Sequence, residues 1–247
     1  MKRLKCIISY DGSLFAGYQI QPNGRTVQEE LEKALARMHK GSQVKVTASG
    51  RTDAGVHAEG QVIHFDTPLA IPGDRWPTAL NSQLPKDILV RKAEIVPESF
   101  HARFSAAGKE YRYKIYQDPF RNPFKRMYSC HCPYELDLQA VEEAAGFLIG
   151  THDFTSFCSA KTDVQDKVRT ITKLEVIHCG KEIELRVAGS GFLYNMVRII
   201  AGTLIEAGKG KVAPNDIHTI LAGRDRALAG KTAPAEGLYL WEVFYGN

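Results

Sequence analysis

Residues 44–65 constrain the fold more than any other stretch. Val44-Lys45-Val46-Thr47 alternates apolar and polar residues, the period of a half-buried strand, and Gln61-Val62-Ile63-His64-Phe65 reads as a second strand. Between them lies Ala-Ser-Gly-Arg-Thr-Asp-Ala-Gly-Val-His-Ala, residues 48–58. Its glycines, Gly50 and Gly55, admit positive φ or the close approach of a ligand. The stretch is therefore a strand, a tight polar connection and a strand. Asp53 stands two residues after Arg51 on that connection. A carboxylate so held can act as nucleophile or general base. Asp is also a common turn residue that bonds its own backbone, and on these residues alone the turn is the better reading.

The flanking segments extend the pattern. Lys2–Tyr10 alternates and predicts a strand turned by Asp11-Gly12. Thr26-Val27-Gln28-Glu29 is a capping box, and Val27, Leu31, Leu35 and Met38 form one stripe of a helix ending near Lys40-Gly41. A short helix over 74–83 and a strand over 87–96 follow. The first half is thus β-α-β-β-α-β, the ferredoxin-like order. Beyond it the periodicity predicts a strand over 109–116, a basic loop over 119–133 and a helix over 136–149. A hairpin of 168–178 and 182–187, helices over 192–206 and 215–222 and a strand over 238–244 complete the chain. That order is again β-α-β-β-α-β with one extra helix. The expected class is α+β: two ferredoxin-like halves, residues 1–106 and 107–247, forming an extended antiparallel sheet with helices on one face and a central cleft.

A chain of 247 residues with 44% hydrophobic and 24% charged residues supports one large domain or two small ones, and excludes a disordered or fibrous protein. The net charge of +4 is mild. The clusters Lys2-Arg3-Lys5, Arg121-Lys125-Arg126, Lys161-Lys167-Arg169 and Lys209-Lys211 each read singly as solvated surface; beside Arg51, Arg103 and Arg198 they are compatible with a groove for phosphates. Five cysteines, an odd number, and an opening that runs straight into a strand lead us to expect free thiols in the cytoplasm. Cys130-His131-Cys132 lacks a second pair at zinc-ligand spacing. No apolar run approaches the roughly 20 residues of a membrane span.

Gly-Arg-Thr-Asp-x-Gly-Val-His at 50–57 resembles the signature of the TruA-type tRNA pseudouridine synthases, with seven fixed residues in eight positions. The similarity continues in Gly60-Gln61-Val62, His-Ala-Arg-Phe-Ser-Ala at 101–106, Tyr-Arg-Tyr at 111–113, His-Asp-Phe-Thr-Ser-Phe at 152–157 and Ala-Glu-Gly-Leu-Tyr-Leu at 235–240. Tyr18 departs from it, where the family usually carries Trp. The resemblance implies isomerisation of uridine to pseudouridine at positions 38, 39 and 40 of the tRNA anticodon stem-loop, without metal or organic cofactor. It implies Asp53 as the catalytic nucleophile, Tyr111 as the aromatic face on the target base, Arg198 as the partner of Asp53, and a homodimer whose one tRNA touches both subunits. Arg51 is assigned to a phosphate or to the flipped nucleotide.

Two other classes compete. In a non-catalytic RNA-binding module on a ferredoxin-like platform, Asp53 is only a turn residue. A metal hydrolase would use His57, His64 and Asp53, but alternation along the strand puts His57 and His64 on opposite faces. His101 reads better as a loop-closing polar residue than as a base, and Leu238 as either pocket wall or core.

Overall fold

The computed structural model describes residues 1–160, 162 and 164–246, so Lys161 of the third basic cluster lies outside the described residues. It divides into two compact units, one of residues 1–107 joined by the segment from Tyr239 onward, the other Gly108–Leu238.

In the first unit β1 spans Lys2–Tyr10. Leu4, Cys6, Ile8 and Tyr10 are buried and the residues between them are half-buried, as the alternation requires. Helix α1, Val27–Met38, buries Val27, Leu31, Ala34 and Leu35. Thr26 caps it by accepting from Glu29 N at 3.3 Å, but Glu29 itself turns to Lys33 at 2.7 Å, so only half of the expected capping box forms. Strand β2 is Thr47–Ala48 and β3 is His57–Thr67. Helix α2, Trp76–Asn81, sets Trp76 edge-on against Phe65 at 5.4 Å, and β4 is Ile88–Val96. The strand order is β4-β1-β3, antiparallel throughout. β2 joins β3 antiparallel at Ile63-His64, while the last strand, β10 (Leu238–Tyr245), runs parallel to β3 at His57-Ala58.

The sequence reading carries the second half to residue 247, whereas Tyr239 onward packs in the first unit through this parallel ladder. Local periodicity shows only that 238–244 is a strand; its partner depends on contacts about 180 residues apart in sequence. The predicted strand over 44–47 shrinks to two residues for a local reason. Val46 N donates to Glu32 Oε1 at 3.0 Å, and Val46 O accepts from Gln28 Nε2 at 3.4 Å, so side chains of α1 take its backbone.

The second unit contains β5 (Ala106–Gln117), β6 (Cys130–Cys132), α3 (Leu138–Gly146), β7 (Gly150–Asp153), β8 (Val168–Cys179), β9 (Glu182–Gly189), α4 (Met196–Gly208) and α5 (Asp216–Gly223). Its strands run β5-β9-β8-β7, antiparallel, with β6 parallel to β5. β6 and β7 occupy stretches read as loop from the sequence; each is four residues or fewer, too short for a period to register. Helix α4 is buried on nearly every side and forms the unit's core, with α3 packed along it. Among the described residues no helix is long and apolar enough to cross a membrane.

Candidate active site

The connection between β2 and β3 is held from three directions. On the β3 side, Ser49 Oγ donates to Gln61 Oε1 at 2.7 Å, and Gln61 Nε2 donates to Gly50 O at 2.9 Å. From β1, the Tyr10 hydroxyl meets Thr52 Oγ1 at 2.7 Å. From the segment after β1, Tyr18 N donates to Thr52 O at 3.0 Å and Gly55 N to Phe15 O at 3.4 Å. The loop closes on itself where Val56 N donates to Asp53 O at 3.1 Å, with Gly55 at φ +77°. That left-handed turn explains the glycine at 55. Gly12 serves by its smallness: a Cβ there would lie 2.0 Å from Val56 O.

With its backbone so restrained, the loop presents Arg51 exposed and Asp53 half-buried. A side chain fixed through its backbone loses little freedom when it engages a reacting atom, and that preorganisation is what nucleophilic or base chemistry needs. Burial pushes the Tyr10 phenol up to about 12, so at neutral pH it is a protonated partner for Thr52.

The histidines of the first unit and His131 of the second make hydrogen bonds to the backbone. His57 is buried; its Nδ1 accepts from Gly12 N at 3.0 Å, lies 3.3 Å from Asp11 Oδ1, and its ring stacks on Tyr239 at 4.6 Å. His64 Nδ1 accepts from Ala102 N at 3.1 Å. Burial, chiefly, and then the charges of Arg3 and His101 lower the His64 pKa to about 4, keeping it neutral. His101 Nδ1 accepts from the amides of Arg103 and Phe104, closing its own turn. His131 Nε2 contacts Asp118 O at 2.6 Å. Among the described residues no group of three His, Cys, Asp or Glu side chains is arranged to hold a metal ion, and the five cysteines are free thiols.

The second unit holds the other two expected residues. Tyr111 lies on β5 opposite Val187, buried, with its ring edge-on to Phe192 at 5.1 Å. Two residues on, Tyr113 is fully buried and its hydroxyl donates to Pro234 O at 2.9 Å, so it belongs to the core as its alternation predicts. Arg198, in the first turn of α4, is half-buried. Its Nε donates to Ala233 O at 2.8 Å and its Nη1 to Asn195 Oδ1 at 3.0 Å. Asn195 caps α4 at φ +60° and ties Nδ2 to Ser159 Oγ at 2.8 Å. The helix therefore opens at Met196 rather than Phe192, because Asn195 tolerates the left-handed region while its side chain serves Ser159 and Arg198.

Arg51 and Asp53 thus share one clamped loop of the first unit, and Tyr111 and Arg198 stand on β5 and α4 of the second. The supports Tyr10 and Asn195 escape sequence reading. Tyr10 is the end of an ordinary strand 42 residues before Thr52, and nothing in local spacing joins them.

Residues 6–105 and 144–246 match the family described as tRNA pseudouridine synthase. The chain is 64% identical over 246 residues to tRNA pseudouridine synthase A of Bacillus pumilus (strain SAFR-032), covering 99% of this chain and 100% of that protein. It is 61% identical to the protein of the same name from Bacillus subtilis (strain 168), at 99% and 100% coverage. With that of Geobacillus kaustophilus (strain HTA426) it shares 61% identity over 244 residues, 99% of this chain and 95% of the relative. Both the clamped Gly50–His57 loop and these full-length matches lead to one conclusion: the chain belongs to the tRNA pseudouridine synthase family.

Proposed function

We propose that this protein isomerises uridine to pseudouridine at positions 38, 39 and 40 of the tRNA anticodon stem-loop, with Asp53 as the nucleophile. The observation that carries the reading is the loop from Gly50 to His57, whose backbone is pinned by Gln61 and Tyr18 and whose Thr52 side chain is held by Tyr10, while Asp53 stands half-buried upon it.

The reaction breaks the N1–C1′ glycosidic bond, turns the uracil, and forms a C5–C1′ bond. A proton leaves C5 and N1 gains one, so nothing is consumed. Asp53 attacks C1′, adds to C6, or removes the C2′ proton; each needs an ionised carboxylate shielded from water. The uridine must first leave the stack, at a cost of about a few kcal/mol. In this reading Tyr111 offers the extruded base an aromatic face. Arg198, oriented by Ala233 O and Asn195, keeps Asp53 ionised, and Arg51 holds a phosphate or the flipped nucleotide.

The β-α-β-β-α-β element order and the strand order β4-β1-β3 support reading the first unit as a ferredoxin-like half. The proposal includes a homodimer, a cytoplasmic site of action, and no metal or cofactor requirement. Sedimentation velocity of the purified protein tests the dimer.

The decisive experiment is the pseudouridine content of an unmodified tRNA with uridine at position 39, after incubation with wild type or Asp53→Asn in the presence of chelator. Conversion by wild type alone is expected, with tRNA binding retained by the variant. Binding by both proteins without conversion by either would replace the enzyme with an RNA-binding module.

A further inference from the structure

We propose that the loop between β5 and β6, residues 118–129, is a docking surface for the RNA substrate, on which Phe120 and Phe124 stack bases and Arg121 and Arg126 hold phosphates. The inference rests on the tRNA reading above and assigns it a surface.

Three aromatic rings stand out from this one loop: Phe120 is 81% exposed, Phe124 88% and Tyr128 46%. Scattered exposed apolar residues need no explanation, but these rings stand together on a hydrogen-bonded backbone. Phe120 N donates to Asp118 Oδ1 at 3.1 Å and Phe124 N to Asn122 Oδ1 at 2.9 Å. Asn122 N donates to the Tyr116 hydroxyl at 3.1 Å, and Tyr128 N to Lys125 O at 2.9 Å. A loop whose backbone is already hydrogen-bonded loses little freedom when a flat partner lands on its rings.

Charge identifies that partner. Asp118 is paired with Lys181 at 2.8 Å, and Glu182 with Lys125, so the acidic groups at the loop's base are already matched. Arg121 has no carboxylate partner among the described residues, and Arg126 donates only to Pro123 O, at 2.6 Å. Two guanidinium groups are left as surplus positive charge among exposed rings. Aromatic faces interleaved with unmatched cations fit a nucleic-acid strand: stacking tolerates any base, and each arginine takes a phosphate. A second copy of the chain fits less well, because a two-fold contact would set the same surplus positive charge against itself.

Two paired variants test the surface, Phe120→Ala/Phe124→Ala and Arg121→Gln/Arg126→Gln, with the unmodified tRNA carrying uridine at position 39 as the probe. Each pair is expected to weaken tRNA affinity roughly tenfold or more while the melting temperature stays at the wild-type value. The arginine pair should also reduce the slope of log affinity against log salt by roughly 1.5, and the phenylalanine pair should leave that slope alone. Wild-type affinity in both variants overturns the proposal. So does a loss of affinity that tracks dissociation of the protein in sedimentation and recovers at higher protein concentration; the loop would then be an interface between copies. Failure of the broader reading is distinguishable, since wild type would then make no pseudouridine whatever the variants bind.

Discussion

The Tyr10 hydroxyl lies 2.7 Å from Thr52 Oγ1, and this buried bond ties the end of β1 to the residue before Asp53. Both groups are buried, and the phenol is the partner of the threonine hydroxyl. Tyr10→Phe strands the threonine hydroxyl, at a cost of about 1–3 kcal/mol. The expected outcome is a lower urea midpoint and slower turnover, because Thr52 lies between Arg51 and Asp53 and the loop that carries both loses a fixed point. Thr52→Val in the same background removes both polar partners together. The double variant should be more stable than the sum of the single losses, and strict additivity would show that the bond contributes nothing.

Gly12 controls the other flank of the loop. A methyl group there meets Val56 O at 2.0 Å, and backbone cannot yield as a flexible side chain can. Gly12→Ala should therefore displace residues 53–56 and destabilise the protein by about 1–3 kcal/mol. Thermal melting measures the loss, and the pseudouridine assay should show activity falling further than stability alone explains at a temperature where the variant is folded. A variant as active and as stable as wild type would mean that the loop moves aside freely.

Much of this could be read directly from the residues. β1 was legible end to end because Leu4, Cys6, Ile8 and Tyr10 recur at every second position, with only Ile7 apolar between them, and α1 because four apolar residues repeat at helical spacing behind a capping threonine. Val46 shows why the rest was not: its alternation is that of a strand, yet Gln28 and Glu32 of α1 claim its backbone. The same holds at the site. The loop that carries Asp53 was legible because its glycine-flanked motif is local. The groups that orient it come from Tyr10 and Gln61, residues whose own neighbours in sequence say only that each lies in a strand.

Asn195 separates backbone tolerance from side-chain chemistry. It occupies φ +60° and supplies an acceptor to Arg198 at 3.0 Å. Asn195→Gly keeps the left-handed conformation and removes both the acceptor to Arg198 and the bond to Ser159 Oγ, so turnover should fall with no added backbone cost. Asn195→Ala removes the acceptor and adds a conformational cost of about 1–2 kcal/mol. Equal turnover losses in the two, with unequal melting temperatures, are expected. Full activity in Asn195→Gly would show that Arg198 needs no help from this cap.

Stability should fall on mild acidification, and His64 is the reason. Its imidazole is buried on β3 and accepts from Ala102 N at 3.1 Å through Nδ1, a bond that only an unprotonated nitrogen can make. Burial and the nearby positive charge of Arg3 and His101 hold its pKa at about 4 in the folded chain. An unfolded histidine titrates near about 6.5, so as pH falls the unfolded chain takes the proton first. The contribution of neutral His64 is thus complete above about 6.5 and is lost progressively down to about 4. Asp66, held below the usual carboxylate range chiefly by its hydrogen bond from Arg3, yields its own contribution only at lower pH. Urea midpoints measured from pH 7 to 4.5 at fixed ionic strength should decline in wild type. In His64→Gln, whose amide oxygen can still accept from Ala102 N without titrating, that decline should flatten. An equal slope in both proteins would move the acid sensitivity to another group.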